Sequence, residues 1–162
     1  MLTEFPSFGK LKPPAFVYAI VKLNADNLHL SEALIIGWYR DEGVNDHPMP
    51  SAAWRTTVLN RPGVHSYVAM LGEEVVGGAT GYEMPLLDEE ISELYLYEIG
   101  VSTEHRQKGV ARLLMETFKE LCRERGISTM YLGTELDNNP ARALYRATQA
   151  REETIVWYTY TI

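Results

Sequence analysis

A short polar stretch between an apolar strand and an amphipathic helix carries the first chemical signal in this sequence. It has the pattern Arg106-x-x-Gly109-x-Ala111, and the small residues at its end let a ligand approach the backbone closely. Free N–H groups and the positive dipole end of a helix N-terminus bind phosphate, and Arg106 and Lys108 would add charge. The pattern favours a phosphate or pyrophosphate site over simple helix capping. It matches neither a P-loop nor the GxGxxG of a Rossmann fold.

A second candidate is Glu98, the only charged residue in the otherwise apolar run from Leu94 to Val101. A buried carboxylate is costly without a partner, so an unexplained one beside a ligand site is a candidate for proton transfer. A structural ion pair and a substrate anchor are the alternatives. All three interpretations stay open at the level of sequence.

The elements that must position these residues follow an order typical of a mixed sheet with helices on its faces. In the first half of the chain, the hydrophobic patterns and turn signals predict a strand at 16–23, a helix from Asp26 or Asn27 to Tyr39 and a helix from Ser51 to before Pro62. Three strands are then predicted at 67–71, 75–82 and 94–101. The rest of the chain is predicted to form a helix at 110–125, a strand at 129–136, a helix at 139–148 and a strand at 152–160. The strand at 94–101 is expected to be buried on both faces. We therefore expect a single α/β domain over residues 1–162, with residues 1–14 as a loosely ordered N-terminal segment.

The helix at 110–125 has the clearest pattern. Val110, Leu114, Phe118 and Cys122 recur every four residues, which predicts that this face lies in the core. Cys122 is the single cysteine, so an intrachain disulfide and a CxxC zinc or redox site are excluded.

Charge is distributed unevenly along the chain. The net charge is −7, which argues against a nucleic-acid partner. Residues 62–105 contain nine acids and no Lys or Arg, whereas residues 106–125 contain six basic residues. This asymmetry suggests a protein that meets a cation on one side and an anion on the other.

Other classes of site and location are disfavoured. The four histidines lack ligand spacing, so no metal site is expected. No apolar run approaches the length of a membrane span, and the charged, proline-rich start does not resemble a signal peptide. A cytoplasmic protein without a membrane partner is the expectation.

Two motifs resemble the signatures of the GNAT superfamily of acetyl-coenzyme A-dependent N-acetyltransferases. Arg106-Gln107-Lys108-Gly109-Val110-Ala111 resembles its Q/R-x-x-G-x-G/A motif, and Asn138-x-x-Ala141-x-x-Leu144-Tyr145 resembles its second signature. Residues 92–106 and 151–153 are similar to the aminoglycoside 3-N-acetyltransferases of GNAT type. The resemblance implies the GNAT acyl-CoA N-acyltransferase fold, with a central, mostly antiparallel sheet flanked by helices.

The resemblance also implies how acetyl-CoA, the cosubstrate, is held. The backbone amides from Gln107 to Ala111 would bind the pyrophosphate, and the strand before them would pair with pantetheine. The residues implied to contact the coenzyme are Ile99, Gly100, Val101, Arg106, Gln107, Lys108, Gly109, Val110, Ala111, Asn138, Ala141 and Tyr145.

For catalysis, the resemblance implies Tyr145 as the general acid that protonates the departing thiolate. Glu98, which stands where the aminoglycoside enzymes carry an aspartate, would be the general base that deprotonates the acceptor amine. The expected acceptor is a polycationic small molecule, foremost an aminoglycoside at its 3-amino group. Its expected anchors are the acids Glu83, Glu93, Glu98, Asp137 and Glu153.

Three alternative functions and the possibility of a homodimer remain open. The acceptor could instead be a polyamine or a peptide or protein amine, and the chain could be a non-catalytic acyl-CoA-binding module. A homodimer is plausible because such folds often pair through exposed sheet edges.

Overall fold

The computed structural model of the chain describes residues 17–44 and 46–162. The predicted loosely ordered segment 1–14 lies outside the described residues. So does Phe16, the first residue of the predicted first strand.

One five-stranded sheet organises the described chain. Its strands in both chain and spatial order are β1 (Ala19–Lys22), β2 (Val64–Leu71), β3 (Glu74–Pro85), β4 (Ser92–Val101) and β5 (Thr129–Tyr131). The strands β1 to β4 pair antiparallel with one another, and β5 runs parallel to β4. The predicted mixed, mostly antiparallel sheet is confirmed.

Four α-helices flank the sheet, and their ends follow local sequence signals. They are α1 (Leu28–Asp41), α2 (Ala52–Leu59), α3 (Val110–Arg125) and α4 (Asn139–Ala147), with single 3₁₀ turns at Ala25–Asn27 and Thr103–His105. Ser51 caps α2, and Gly126 ends α3 at a φ of +67°. Asn138 caps α4, whose predicted start at residue 139 is confirmed. No helix in the described ranges is both long and apolar enough to cross a membrane.

Glycines in β3 let helices approach both faces of the sheet. A Cβ on Gly78 would lie 2.7 Å from a methyl group of Leu34 in α1, and one on Gly81 would lie 2.8 Å from the ring of Phe118 in α3. Side chains three positions apart on a strand point to opposite faces. Thus α1 covers one face of the sheet and α3 covers the other.

The larger core lies between α3 and the sheet. Val110, Leu114, Phe118 and Cys122 are all buried there, which confirms the predicted core face of α3. Leu144 and Tyr145 of α4 pack against the same core. A smaller core around Leu34 joins α1 to the opposite face.

A β-bulge in β4 changes which side chains face α3. Thr80 pairs with Glu98 and Gly81 pairs with Leu96, so Tyr97 is an extra residue on β4. Leu96 before the bulge and Ile99 after it both pack toward α3, whereas Tyr97 and Glu98 are exposed. The prediction of a strand buried on both faces is therefore wrong for this half of β4.

Two predicted strands also differ from the structure. The strand predicted at 129–136 ends at Tyr131, because the chain then diverges from β4 and loses its ladder partner. The strand predicted at 152–160 does not form, and residues 151–162 are exposed throughout. That prediction is wrong for the single chain because a strand requires a neighbour, and no described strand pairs with this segment.

Candidate active site

A cleft opens where β4 and β5 separate. Their last paired residues are Tyr95 and Tyr131, and β4 continues to Val101 without a described strand on that side. Separation of two strands leaves backbone N–H and C=O groups of β4 unpaired, as at a sheet edge. An extended ligand with amide groups can pair with such an edge.

The cleft has a volume of about 570 Å³ and four walls. Residues 96–101 of β4 form one wall, and residues 132–135 after β5 form the facing wall. The last turn of α1 and the helix α4 form the other two walls, and the remaining lining residues are Trp38, Tyr39, Asp41, Glu42, Arg106, Asn138, Ala141 and Tyr145. Arg106 from the first sequence motif and Asn138, Ala141 and Tyr145 from the second thus line one cavity, whereas residues 107–111 lie outside its lining.

Glu98 faces this cleft from the bulged part of β4. The residue is open to the cleft on one side, but the surrounding protein raises the pKa of its carboxyl, and the charge of Glu42 raises that pKa further. A carboxylate with a raised pKa is a better proton acceptor than an ordinary one. Of the interpretations left open by the sequence, an ion pair has no support among the described residues.

Tyr145 lines the facing side of the cleft from α4 and is half-buried. Burial, and next the charge of Glu135, raise the pKa of its phenol. The hydroxyl therefore keeps its proton at neutral pH and is able to donate it. Asn138 fixes the start of this helix, because its Oδ1 accepts a hydrogen bond of 3.2 Å from the backbone N–H of Ala141.

The loop from Arg106 to Gly109 continues from the cleft to the N-terminus of α3. Gly109 has a φ of +88° and Gln107 has a φ of +59°, so the loop adopts left-handed backbone at two positions. Among the described residues no side chain caps the N-terminus of α3, and a Cβ on Gly109 would meet open space. Val110 is only 1% exposed, so it lies in the core, and the exposed part of the loop is residues 106–109. A helix N-terminus without a side-chain cap, preceded by an exposed loop, is the kind of place where a phosphate group binds.

Arg106 connects this loop to α1. Its Nη2 donates a hydrogen bond of 3.2 Å to Asp41 Oδ2, and its Nε donates one of 3.0 Å to the carbonyl of Val101. Asp41 Oδ2 also accepts from the backbone N–H of Thr103 at 2.9 Å and from its hydroxyl at 3.2 Å. Asp41 therefore joins the end of α1 to the loop that precedes α3.

Replacing Asp41 by Asn is expected to raise the KM for acetyl-CoA, the cosubstrate that the sequence resemblance implies, by about tenfold and to change kcat little. The variant weakens the charge-assisted bonds that hold the loop, and each such bond contributes about 1.5 to 3 kcal/mol. Steady-state kinetics with acetyl-CoA as the varied substrate measures the change. Asp46→Asn, an exposed acid just beyond α1, is the matched control and should behave like the parent chain. A KM unchanged by Asp41→Asn would contradict this role.

Glu83 lies away from the cleft, in a charged cluster on the α3 side of the sheet. Its Oε2 accepts from Arg125 Nε at 2.6 Å and lies 3.1 Å from His65 Nε2. The hydrogen bond from Arg125 is the main cause that lowers the pKa of Glu83, whereas burial is the main cause that lowers the pKa of His65. The structure thus gives Glu83 structural partners and does not bring it to the site.

Replacing Glu83 by Gln should lower the free energy of unfolding by about 1 to 3 kcal/mol, since the hydrogen bond from Arg125 is no longer assisted by the charge of the carboxylate. Acceptor turnover should stay near that of the parent chain. Because the pKa of Glu83 is lowered in the folded state, its contribution is present above the ordinary carboxyl pKa and is lost as pH falls. Chemical denaturation at pH 7 and at pH 4 measures both effects. Equal losses at the two pH values would contradict the ion-pair explanation.

Three other predicted acceptor anchors also lie outside the cleft lining. Glu93 is in the paired part of β4 opposite Thr129, Asp137 is exposed before α4, and Glu153 forms an ion pair with Arg151. The acids that do line the cleft with Glu98 are Asp41, Glu42 and Glu135. Sequence reasoning missed them because they arrive from the end of α1 and from the chain after β5. The one signal in the sequence that could have found them is their position. Asp41 and Glu42 lie at the end of a predicted helix, and Glu135 lies at the end of a predicted strand, where side chains often line a site.

No cluster of three or more His, Cys, Asp or Glu residues suited to a metal ion occurs in residues 17–44 or 46–162.

Curated relatives match part of the chain. It is 35% identical over 91 residues to N-acetyltransferase 8 of Homo sapiens, which covers 55% of this chain and 39% of that protein. It is 32% identical over 83 residues to the probable N-acetyltransferase family 8 member 5 of Mus musculus, which covers 50% and 36%. The match therefore spans well under half the length of these relatives.

Solved structures match nearly the whole chain. The aminoglycoside acetyltransferase HMB0005, from an uncultured soil metagenomic sample, superposes with a TM-score of 0.82 at 26% identity and covers 90% of this chain and 99% of that one. The aminoglycoside acetyltransferase meta-AAC0020, from the same kind of sample, gives 0.85 at 23% identity, covering 90% and 96%. AAC(6')-Iy in complex with a bisubstrate analogue gives 0.74 at 20% identity, covering 90% and 99%.

The sequence profile of the acetyltransferase (GNAT) family matches residues 29–149, which is more than half of the chain. That range includes all of α1 except its first residue, the bulged strand β4, the Arg106–Ala111 loop and α4, so every lining residue of the cleft lies within it. The chain belongs to the acetyltransferase (GNAT) family.

Proposed function

We propose that this acetyltransferase transfers the acetyl group of acetyl-CoA to an amine of a polycationic small molecule, foremost an aminoglycoside. The observation that carries the proposal is the charge of the cleft. Four carboxylates line it, and Arg106, the one basic residue among the described lining residues, is paired with Asp41. Glu42, Glu98 and Glu135 leave a negative cavity that attracts and orients cationic amines.

The coenzyme would lie along the unpaired part of β4 and reach the amides at the start of α3. Ile99 and Val101 offer backbone groups to pantetheine, and residues 107–111 offer amides to the pyrophosphate. Arg106 supports this loop through Asp41, whereas Lys108 lies on its exposed surface. Acetyl-CoA supplies an activated thioester, and the residues of this chain supply position and proton transfer.

The proposed reaction is a direct attack in a ternary complex. Glu98 takes a proton from the ammonium form of the acceptor, and the free amine attacks the thioester carbonyl. A carbon–nitrogen bond forms, and backbone N–H groups of β4 stabilise the developing oxyanion. The carbon–sulfur bond then breaks, and Tyr145 protonates the departing thiolate. The nitrogen releases its second proton, which restores the phenol of Tyr145 through solvent, and Glu98 releases its proton to solvent.

The position of the only cysteine supports direct attack over an acetyl-enzyme. Cys122 is buried between α3 and the sheet, outside the cleft lining, and burial raises the pKa of its thiol. A thiol with a raised pKa is a poor nucleophile at neutral pH.

The acceptor amine is proposed to be the 3-amino group, because residues 92–106 resemble the 3-N-acetyltransferases. One similar solved structure carries the 6' position in its name, so the 6'-amino group is the competing outcome. NMR of the acetylated product distinguishes the two positions directly.

The test is thiol release from acetyl-CoA with gentamicin, kanamycin, spermidine and a lysine peptide as separate acceptors. We expect turnover with the aminoglycosides, with a KM that rises as salt screens the acidic cleft. Turnover with spermidine or the peptide alone would support acetyl transfer to an amine but would contradict the aminoglycoside as acceptor. Coenzyme binding without turnover for any acceptor would instead indicate a non-catalytic acyl-CoA-binding module.

A further inference from the structure

A cluster of tyrosines lies on the face of the sheet that α1 covers in part. Alternate residues of a strand share a face, so the neighbours of the residues that pack toward α3 lie on the α1 face. Four of these neighbours form what we call the tyrosine cluster: Tyr82 of β3, Tyr95 and Tyr97 of β4, and Tyr131 of β5. Their rings contact one another in a continuous series, with centroids 5.3 to 5.8 Å apart.

One end of the tyrosine cluster is open. Tyr97 is 59% exposed and Tyr82 is 36% exposed, and their rings meet at an angle of 87°. Two rings that meet at a right angle form a corner with two aromatic faces. At the other end, Trp157 stacks on Tyr95 with the ring centroids 6.5 Å apart, so the chain itself covers part of that end.

The β-bulge in β4 determines where Tyr97 lies. Pairs of aromatic residues across a ladder ordinarily stabilise a sheet, and this explains Tyr82, which lies opposite Tyr95. It does not explain Tyr97, because the bulge leaves this residue opposite no residue of β3. Bulges often redirect a side chain beside an active site. The position of Tyr97 thus fits a ligand contact better than sheet pairing.

The open pair of tyrosines borders the cleft. Tyr97 is one of the residues that line the cleft, and Glu98 follows it directly. Tyr82 is close enough to Glu98 that the charge of this carboxylate, after burial, raises the pKa of its phenol. The coenzyme is proposed to lie along residues 99–101, on the other side of Glu98. An acceptor with its amine at Glu98 therefore has the tyrosine side left for the rest of the molecule.

Two tyrosine faces beside a carboxylate suit a cationic ring. An ammonium group within about 6 Å of a tyrosine ring is attracted to the face of that ring. A saturated ring with equatorial amino and hydroxyl groups presents C–H groups on its faces, so it can lie flat on an apolar aromatic surface. An acyclic polyamine has no such face and gains only the attraction of its charges.

We propose that Tyr82 and Tyr97 form a subsite for a ring of the acceptor, by which the enzyme selects amines on saturated, ring-shaped polycations over acyclic polyamines. This inference rests on the proposed function, because it places the reacting amine at Glu98. The acids that line the cleft complement the charge of such an acceptor, and they are Glu42, Glu98 and Glu135. The two tyrosines supply the apolar surface that the acids lack.

Kinetics with kanamycin and with spermidine as the varied acceptor test the subsite. Tyr97→Leu should raise the KM for kanamycin about fivefold to tenfold, because leucine is apolar but has no aromatic face. The KM for spermidine should change by about twofold at most, and the KM for acetyl-CoA should not change. If spermidine is not acetylated, its inhibition constant against kanamycin replaces its KM. Tyr97→Phe, the matched control, keeps the ring and should keep the KM of the parent chain.

Tyr82→Leu repeats the test at a second position, so that a folding defect in one variant does not decide the result. We expect a smaller rise than for Tyr97→Leu, because the positive charge of Arg61 also reaches Tyr82 and disfavours an ammonium there. Saturation-transfer difference NMR, with irradiation of the aromatic protons, should show contact with the ring C–H protons of kanamycin in the parent chain. That signal should weaken in both leucine variants.

The outcomes separate this inference from the proposed function. Turnover of kanamycin with an unchanged KM in both leucine variants would overturn the subsite and leave the proposed function intact. An equal rise in the KM for kanamycin and for spermidine would also overturn the subsite, since a loss of cation binding does not require a ring. A parent chain that acetylates neither kanamycin nor gentamicin would overturn the proposed function, and the subsite with it.

Discussion

Glu98→Gln is expected to lower kcat by about 10² to 10⁴-fold while acetyl-CoA still binds with the affinity of the parent chain. Glutamine keeps the shape and hydrogen-bonding reach of the side chain but cannot take a proton from the acceptor. Thiol-release kinetics measures the loss, and titration calorimetry with coenzyme A measures the binding. Glu73→Gln, an exposed acid in the turn between β2 and β3, is the control and should retain full turnover.

The same substitution should raise the melting temperature at neutral pH. Burial and the charge of Glu42 raise the pKa of Glu98, so the folded state disfavours its charged form. Stability of the parent chain should therefore fall as pH rises from the ordinary carboxyl pKa through the raised one, and the variant should lack that fall. A variant that is both less active and less stable at neutral pH would indicate a structural role for Glu98 instead of proton transfer.

Gly100→Ala is expected to have the second-largest effect, because β4 and α1 almost touch at this point. A Cβ on Gly100 would lie 2.5 Å from Nε1 and 2.7 Å from Cδ1 of Trp38, both part of a rigid ring. The indole packs against the core around Leu34, so it has little room to move. We expect a loss of about 1 to 3 kcal/mol in the free energy of unfolding. Displacement of the α1 wall should also lower kcat by about a hundredfold.

A second substitution in Trp38 tests that explanation. Its Nε1 is buried and has no hydrogen-bond partner among the described residues, so Trp38→Phe removes an unsatisfied donor together with the clashing atoms. The double variant Gly100→Ala/Trp38→Phe should recover stability relative to Gly100→Ala, as a double-mutant cycle would show. Gly133→Ala lies in the same cleft, where a Cβ would be 4.0 Å from the nearest atom, and should be nearly neutral. Additive effects in the cycle would rule out the clash.

The parts of this protein that could be predicted from sequence are those decided by neighbours in the chain. The core face of α3, its stop at Gly126 and the cap at Ser51 follow from local periodicity and side-chain chemistry, and the structure has them. The Arg106–Ala111 loop and Glu98 were marked because they break the pattern of the elements around them. Both lie at the cleft or continue from it.

The parts that sequence could not predict depend on distant partners. In the sequence, nothing distinguishes Glu83 from the other acids of residues 62–105. Its role becomes apparent only in the fold, which places Arg125 and His65 beside it. The bulge at Tyr97 exists only relative to the register of β3, so the exposure of Glu98 could not be deduced from β4 alone. Residues 152–160 have the composition of a strand, but composition does not show which other strand, if any, pairs with them.

The connection through Asp41 has a thermodynamic consequence for the two substrates. The carboxylate of Asp41 links α1, which borders the proposed acceptor site, to the loop that precedes the amides proposed to bind the pyrophosphate. If coenzyme A orders that loop, the hydrogen bonds of Asp41 transmit the change to the end of α1, which forms one wall of the cleft. Thermodynamic linkage makes this coupling reciprocal. If bound coenzyme A changes the affinity for the acceptor by some factor, bound acceptor changes the affinity for coenzyme A by the same factor. In the proposed ternary complex the two substrates therefore act as heterotropic effectors of one another, and the order in which they bind leaves the total free energy of the complex unchanged.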